Sequence, residues 1–203
     1  MKQKLQKKRI FDALAERRIY ALVRGALAIV PFDKDIHIGF KYEHVGEGTF
    51  SDINIGAVNR APYVIVVNID WYETAEERDV KFSLRQEARH LFQRNQIEKL
   101  ASGKKTEVDP SIIRQWALNF DHYISNTPFT ERLHFQQPCE IDAYVYATFI
   151  EATETMTSDE IDFSYTDYPV IGDLVANRVA EILKQTPVED RRKYHDFFSI
   201  QRA

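Results

Sequence analysis

The sequence contains little of what marks secreted, disordered or membrane-spanning chains. It has one cysteine, seven glycines and seven prolines in 203 residues. Cys139 alone cannot form an internal disulfide or a cysteine-rich zinc site, and the composition excludes the low-complexity classes. No apolar run is longer than five residues, whereas a membrane helix needs roughly 20. Since there is no apolar leader segment either, we expect a cytoplasmic protein without a membrane span.

Charge is unevenly distributed along the chain. Residues 1–24 carry eight Lys and Arg against two acids, and residues 151–173 carry seven acids and no Lys or Arg. A basic helix can contact nucleic acid, but a solvated face, or one that docks on the acidic segment, explains the pattern better. No known nucleic-acid-binding motif accompanies it. We therefore expect no nucleic-acid partner, and the oligomeric state is left open.

Length and periodicity predict a single α+β domain over residues 1–203. Residues 1–30 are predicted to form an N-terminal helix. Alternating apolar residues in 35–71 predict a small antiparallel sheet of three to four strands, with a turn at 45–48. The predicted strands are 35–43, 49–57 and 63–71.

Helices are predicted for the rest of the chain. A capping box at Thr74 to Glu77 begins a long helix, and Ser102 and Gly103 end it. Pro110 and Pro138 stand where helices begin, and the helical core covers 74–153. The C-terminal section, 170–198, is predicted to hold two helices. Their bounds are 171–184 and 188–198.

The long helix carries a partial metallopeptidase motif. Gln86 and His90 are one turn apart on the same face, and Glu87 is adjacent to that face. In the motif H-E-x-x-H, two histidines one turn apart bind zinc, and the glutamate between them is the general base. Here glutamine replaces the first histidine. Taken alone, Glu-x-x-His occurs readily by chance, and a helix with a satisfied His and a solvated Glu explains it better.

A second segment, about fifty residues later, adds context. Residues 137–143 read Gln-Pro-Cys-Glu-Ile-Asp-Ala and begin a predicted helix. They look like the E-x-x-A pattern with which gluzincins, the zincins of the Glu-ligand type, supply their third zinc ligand. More closely, residues 49–150 resemble small bacterial and phage-associated metallopeptidase-like proteins with the patterns H-E-x-R-H-x-x-Q and Q-P-x-E-x-D-A. The matching residues are Glu87, Arg89, His90, Gln93, Gln137, Pro138, Glu140, Asp142 and Ala143.

The resemblance implies a zincin-like fold with a role for each matching residue. His90 would be a metal ligand, and Glu140 would be the Glu ligand. Glu87 would take a proton from metal-bound water. Asp142 would either lie behind the ligands and orient them or anchor the helix, and Arg89 would lie behind the ligands.

The reaction implied by the resemblance is peptide hydrolysis. The strand at 63–71 would be an edge strand to which the substrate backbone adds. Each role also has a purely structural interpretation. His90 could be a core histidine, and Glu87 or Asp142 could form ion pairs with neighbouring arginines.

Gln86 stands where the motif H-E-x-x-H has its first histidine, and this difference determines whether zinc is expected to bind. A neutral amide oxygen is a poor zinc ligand beside imidazole or carboxylate, so only His90 and Glu140 remain and zinc binding is expected to be weak or absent. Another histidine could complete the site, and His134, six residues before Glu140, is the best candidate. The others are His37, His44 and His122.

Three functions are compatible with these residues. The favoured one is a degenerate zincin-like metallopeptidase homologue, a pseudoenzyme that binds a peptide or protein. It requires Gln86, His90 and Glu140 to converge, with Glu87 beside them. The second is an active zinc metallopeptidase with a non-standard first ligand. The third is an unrelated, non-enzymatic interaction module, for which no convergence is required.

Overall fold

The structure is a computed structural model. It describes residues 2–30, 32, 34–41, 51–53, 63–154 and 171–187. Over these residues the chain is mixed α and β and mostly helical, as the sequence predicts. The chain divides into two compact units, Met1–Leu91 and Phe92–Ala203, and the single domain stays a prediction. None of the helices in the described ranges has the length and apolar character needed to cross a membrane.

The first unit contains a long helix, a three-stranded sheet and a short helix. Its elements are α1 (Lys2–Leu27), β1 (His37–Lys41), β2 (Ser51–Ile53), β3 (Val64–Asn68), α2 (Ile69–Thr74) and the start of α3 (Glu77–Ala101). The predicted N-terminal helix is confirmed in α1. Its buried residues recur every three or four positions, which gives it one apolar face. They are Ala15, Ile19, Val23 and Ala26. Such a face explains why α1 packs against β1.

β3 is the central strand of the sheet, and its two neighbours run in opposite directions. β1 pairs with it in parallel, with His37 opposite Val64, whereas β2 pairs antiparallel, with Ser51 opposite Val67. The antiparallel prediction is therefore wrong for the β1–β3 pair. Alternating apolar residues indicate which face of a strand is buried, but this period is the same for parallel and antiparallel partners. The turn predicted at 45–48 lies outside the described residues.

β3 is shorter than the strand predicted over 63–71. It ends at Asn68, and Ile69 begins α2. The Asn68 side chain accepts a hydrogen bond from the Asp70 backbone N–H at 3.1 Å, which satisfies one of the unbonded N–H groups at a helix start. The apolar residues after Asn68 continue the strand-like pattern, so periodicity alone does not mark where the strand ends.

The second unit is helical in its described residues. It contains the last part of α3, followed by α4 (Pro110–Asp121), α5 (Glu131–Phe135), α6 (Pro138–Glu154) and α7 (Gly172–Gln185). α6 is buried over most of its length because α4, α5 and α7 all pack against it. The helix starts predicted at Pro110 and Pro138 are confirmed, and α7 corresponds to the helix predicted at 171–184. The helix predicted at 188–198 lies outside the described residues.

Gly103 ends α3 in a left-handed conformation, with φ of 68°. Its N–H donates to the Leu100 carbonyl, and the Lys104 N–H donates to the Lys99 carbonyl, which is the Schellman arrangement. A Cβ at this position would meet no atom within 4 Å. A larger residue is therefore disfavoured only by the positive φ and not by a steric clash with neighbouring residues. We expect Gly103→Ala to lower the free energy of unfolding by about 1 kcal/mol, measured by urea denaturation.

The matched control is Lys104→Ala. It changes an exposed neighbour and leaves both backbone hydrogen bonds possible. Equal stability of the Gly103→Ala variant and the wild type would show that the left-handed turn does not form.

Candidate functional site

The motif residues of α3 lie where the helical spacing places them. Gln86, Glu87, Arg89 and His90 are all inside the helix, so Gln86 and His90 are one turn apart, as predicted. His90 is buried, at 7% exposure, and the other three are half-buried. All four belong to the first unit.

The residues of the second motif lie at the start of α6, in the second unit. Glu140 is in the first turn and is buried, at 5% exposure. Asp142 is half-buried. The predicted convergence of Gln86 and His90 with Glu140 stays a prediction, because these residues belong to different units.

Gln93 joins the last part of α3 to α6. Its side chain is fully buried, and its amide nitrogen donates to the Cys139 carbonyl at 2.9 Å and to Asp142 Oδ2 at 2.8 Å. A glutamine amide has two N–H groups, so one side chain satisfies a backbone carbonyl and a carboxylate together. Gln93 and Asp142 each match one of the two sequence patterns, and both lie within the second unit.

Glu140 is held between a tyrosine and a histidine. The Tyr123 hydroxyl donates to Glu140 Oε1 at 2.9 Å. His134 Nε2 lies 3.8 Å from Glu140 Oε2, which is too long for a hydrogen bond. The side chains of His134 and Glu140 are only 9% and 6% exposed, so each of the two carboxylate oxygens faces a polar group in a largely water-free environment.

The segment before α6 is fixed by bonds to the Ile124 backbone. The Ile124 N–H donates to Gln137 Oε1 at 3.0 Å, and Gln137 Nε2 donates back to the Ile124 carbonyl at 3.0 Å. The same carbonyl lies 2.8 Å from His134 Nδ1. Gln137, one of the residues that match the second pattern, therefore holds the chain next to Tyr123.

Sequence reasoning missed Tyr123 as a site residue. It lies 17 residues before Glu140, in a segment outside the helices. Helical spacing from Pro110 predicts Tyr123 inside the helix, whereas α4 ends at Asp121, and no local signal indicated that the Tyr123 hydroxyl reaches a buried carboxylate. His134, in contrast, was singled out for its position in the sequence, and the structure places it beside Glu140.

The strand expected to dock a substrate is not at an edge. β3 has β1 on one side and β2 on the other, and the pairing covers residues 65–67 from both sides. The backbone groups of these residues are used in the sheet, so no further strand can add there. Of the described strands, β1 and β2 have one strand neighbour each.

Cys139 is buried next to Glu140 and is chemically protected. Burial in the apolar interior, and then the negative charge of Glu140, raise the pKa of its thiol to about 12. At pH 8 the thiolate fraction falls to roughly one in ten thousand, and the thiolate is the reactive form. We expect iodoacetamide to alkylate the folded protein about a thousandfold more slowly than the guanidinium-unfolded chain, with mass spectrometry as the readout.

The alkylation experiment also has a pH signature. The rate of the folded protein should keep rising above pH 9, where the rate of the unfolded chain levels off, because the folded thiol titrates at higher pH. Equal rates in both states at pH 8 would contradict the burial of Cys139.

The residues present do not fit the zinc site that the resemblance implies. Gln86 supplies only an amide oxygen, which zinc rarely takes as a ligand. Within the described residues, no three His, Cys, Asp or Glu side chains are grouped closely enough to hold a metal ion. No catalytic step through zinc is therefore derived for Glu87.

Comparison of the chain with protein-family models, with curated protein sequences and with solved structures found no match.

Proposed function

We propose that the chain is a degenerate zincin-like metallopeptidase homologue that binds a peptide or protein and does not hydrolyse it. The observation that supports this most directly is the bond from Gln93 to Asp142. The two residues come from separate sequence patterns, and each matches the family's pattern by residue type and position alone. An accidental match would not require them to touch.

The loss of hydrolysis is argued from the metal ligands. In the zincin mechanism Glu87 would take a proton from metal-bound water, and Gln86 removes one of the two imidazoles that would hold that metal. The helix geometry of the motif is retained. The scaffold is therefore proposed to persist without its chemistry.

Peptide binding through strand addition remains the proposed mode, at a different strand. Backbone addition needs a sheet edge, and β3 is flanked on both sides. β1 and β2 each have one strand neighbour among the described strands, and we propose β2 as the docking edge.

The test of lost hydrolysis uses fluorescein-labelled casein with added zinc. We expect no hydrolysis above background in the wild type, in Glu87→Gln, or in the control Glu98→Gln, which changes an exposed glutamate of the same helix. Hydrolysis by the wild type and Glu98→Gln that Glu87→Gln abolishes would instead support the second candidate function, an active metallopeptidase. The position of His134 beside Glu140 is the observation that favours this second candidate.

The test of binding uses a phage-displayed library of short random peptides. We expect enriched peptides whose affinity falls when alternate backbone nitrogens are methylated, because an added strand donates those N–H groups. No enrichment over an unrelated control protein would contradict peptide binding and would favour an interaction module of another kind.

A further inference from the structure

We infer that Arg94, held against the ring of Phe120, anchors a binding site for a carboxylate group of a peptide. This inference goes beyond the proposed function and does not depend on it. It rests on the contacts of one half-buried arginine in the second unit. Arg94 belongs to neither of the two sequence patterns that carry the resemblance.

The first step is the position of the guanidinium group. Its central carbon, Arg94 Cζ, lies 3.6 Å from the centre of the Phe120 ring. The group must lie parallel to the ring, because a nitrogen turned towards the ring would be roughly 1.3 Å closer than Cζ. A stacked guanidinium uses its flat face and leaves its N–H groups, which point outward in its plane, for a ligand. Phe120 therefore orients these donors in advance, which lowers the ordering cost of binding.

The second step is the access to the nitrogens of Arg94. Within the part of the chain that the structure describes, its guanidinium forms no hydrogen bond and no ion pair. Of its nitrogens, Nε is the one that is buried without an acceptor there, so the terminal nitrogens Nη1 and Nη2 reach solvent. Together they form a fork of two donors that matches the two oxygens of a carboxylate. A ligand is therefore expected to approach end-on, through this terminal fork.

The third step is the charge around Arg94, which stays protonated at neutral pH. Burial lowers the pKa of its guanidinium, and Cys139, Asp121 and Tyr123 act in the opposite direction. Two of these three carry no charge at neutral pH: the pKa of the Cys139 thiol is raised to about 12, and the Tyr123 hydroxyl keeps the proton that it donates to Glu140. Asp121 is exposed, so water and salt screen its charge. The half-buried cation is therefore weakly compensated by these groups, and a bound carboxylate would supply the missing charge.

The fourth step selects a peptide carboxylate over a phosphate. Sites for phosphate gather several cations, whereas the described groups that act on Arg94 include the acid Asp121 and no Lys or Arg. One fork beside an acid suits a singly charged anion. The rings of Phe120 and Tyr123 are both partly exposed, so apolar surface lies next to the fork. These features favour a carboxylate carried on an apolar body, either the C-terminus of a peptide or an acidic side chain within it.

The experiment is an NMR titration of the ¹⁵N-labelled full chain, with the backbone amide shifts of Phe120 and Tyr123 as the readout. N-acetylphenylalanine supplies a C-terminal carboxylate, and the α-amide of N-acetylglutamic acid supplies a side-chain carboxylate. N-acetylphenylalaninamide is the uncharged control probe, and inorganic phosphate is the competing anion. Circular dichroism of each variant checks that it is folded.

We expect saturable binding of a carboxylate probe to the wild type and at least tenfold weaker binding to Arg94→Gln. A smaller loss is expected in Arg94→Lys, because lysine keeps the charge without the planar fork. N-acetylphenylalaninamide should bind at least tenfold more weakly than N-acetylphenylalanine. The control Arg114→Gln changes an exposed arginine of α4 and should bind like the wild type. Binding of either carboxylate probe supports the inference, and the probe that binds more tightly identifies the source of the carboxylate.

Three outcomes would overturn the inference. The first is the absence of saturable shifts with both carboxylate probes, which would show that the terminal fork of Arg94 stays hydrated. The second is unchanged affinity in folded Arg94→Gln, which would place the carboxylate elsewhere. The third is tighter binding of phosphate than of both carboxylates, which would identify a phosphate site. None of these outcomes affects the casein and peptide-library results, so a failure of this inference is distinguishable from a failure of the proposed function.

Discussion

Gln86→His is expected to raise the zinc affinity of the chain by roughly a hundredfold or more, because a second tethered imidazole turns the second binding event into an intramolecular one. Gln86 and His90 are one turn apart within α3, which is the spacing at which two histidines chelate zinc. Gln86 is only half-buried, so a histidine at this position can be accommodated without repacking the core. Competition with a chromogenic zinc chelator measures the change.

The control for this variant is Gln115→His. It introduces a histidine on an exposed face of α4, where the residues one turn away are Ser111 and Asn119, so no pair is formed. If Gln86→His binds zinc no better than Gln115→His, α3 is not a zincin remnant. If it also hydrolyses casein, and the double variant with Glu87→Gln does not, the lost chemistry depended on this one residue.

Gln93→Leu is expected to lower the free energy of unfolding by about 3 kcal/mol, since it removes one hydrogen bond to a carboxylate and one to a buried carbonyl. The loss is larger than the bonds alone because the Cys139 carbonyl is left without this donor inside the protein. Leucine has a similar volume, so the change reports on polar contacts rather than on a cavity. Urea denaturation with an unchanged m-value measures it.

Gln115→Leu is the matched control, because the same substitution is made at an exposed position. It should change stability by less than about 0.5 kcal/mol. A loss below about 1 kcal/mol in Gln93→Leu would mean that the bonds to Cys139 and Asp142 contribute little. The support that the Gln93–Asp142 contact gives to the proposed function would then be withdrawn.

Local sequence signals indicated most of the helices, but not α2, and Thr74, predicted to cap the long helix, is the last residue of α2. Pro110 and Pro138 mark helix starts because proline lacks the N–H that a helix leaves unbonded in its first turn, and Gly103 marks an end because it accepts a positive φ. α5 was not predicted, since five residues are too few for a periodic pattern. Helix starts and ends depend on residues only a few positions apart, so they can be predicted from the local sequence.

The sheet and the surroundings of Glu140 were only partly predictable. Which residues form strands follows from their alternation, but the direction of β1 relative to β3 depends on how the chain returns between them. β3 ends at Asn68, whose side chain caps α2, although the apolar pattern continues beyond it. Tyr123 reaches Glu140 from 17 residues away, a distance along the chain at which no local pattern operates.

The sequence by itself determined the N-terminal helix, the helices that begin at Pro110 and Pro138, the presence of three strands and an amide in place of an imidazole at position 86, because these follow from residue type and short-range spacing. Only the tertiary structure decided that β3 is central, that Gln93 holds Asp142, and that His134 and Tyr123 flank Glu140. The physical reason is that contacts between distant segments form when packing brings them together. Burial and hydrogen bonding in the folded chain select which residues pair. Neither burial nor hydrogen bonding between distant segments can be inferred from the residues adjacent in sequence.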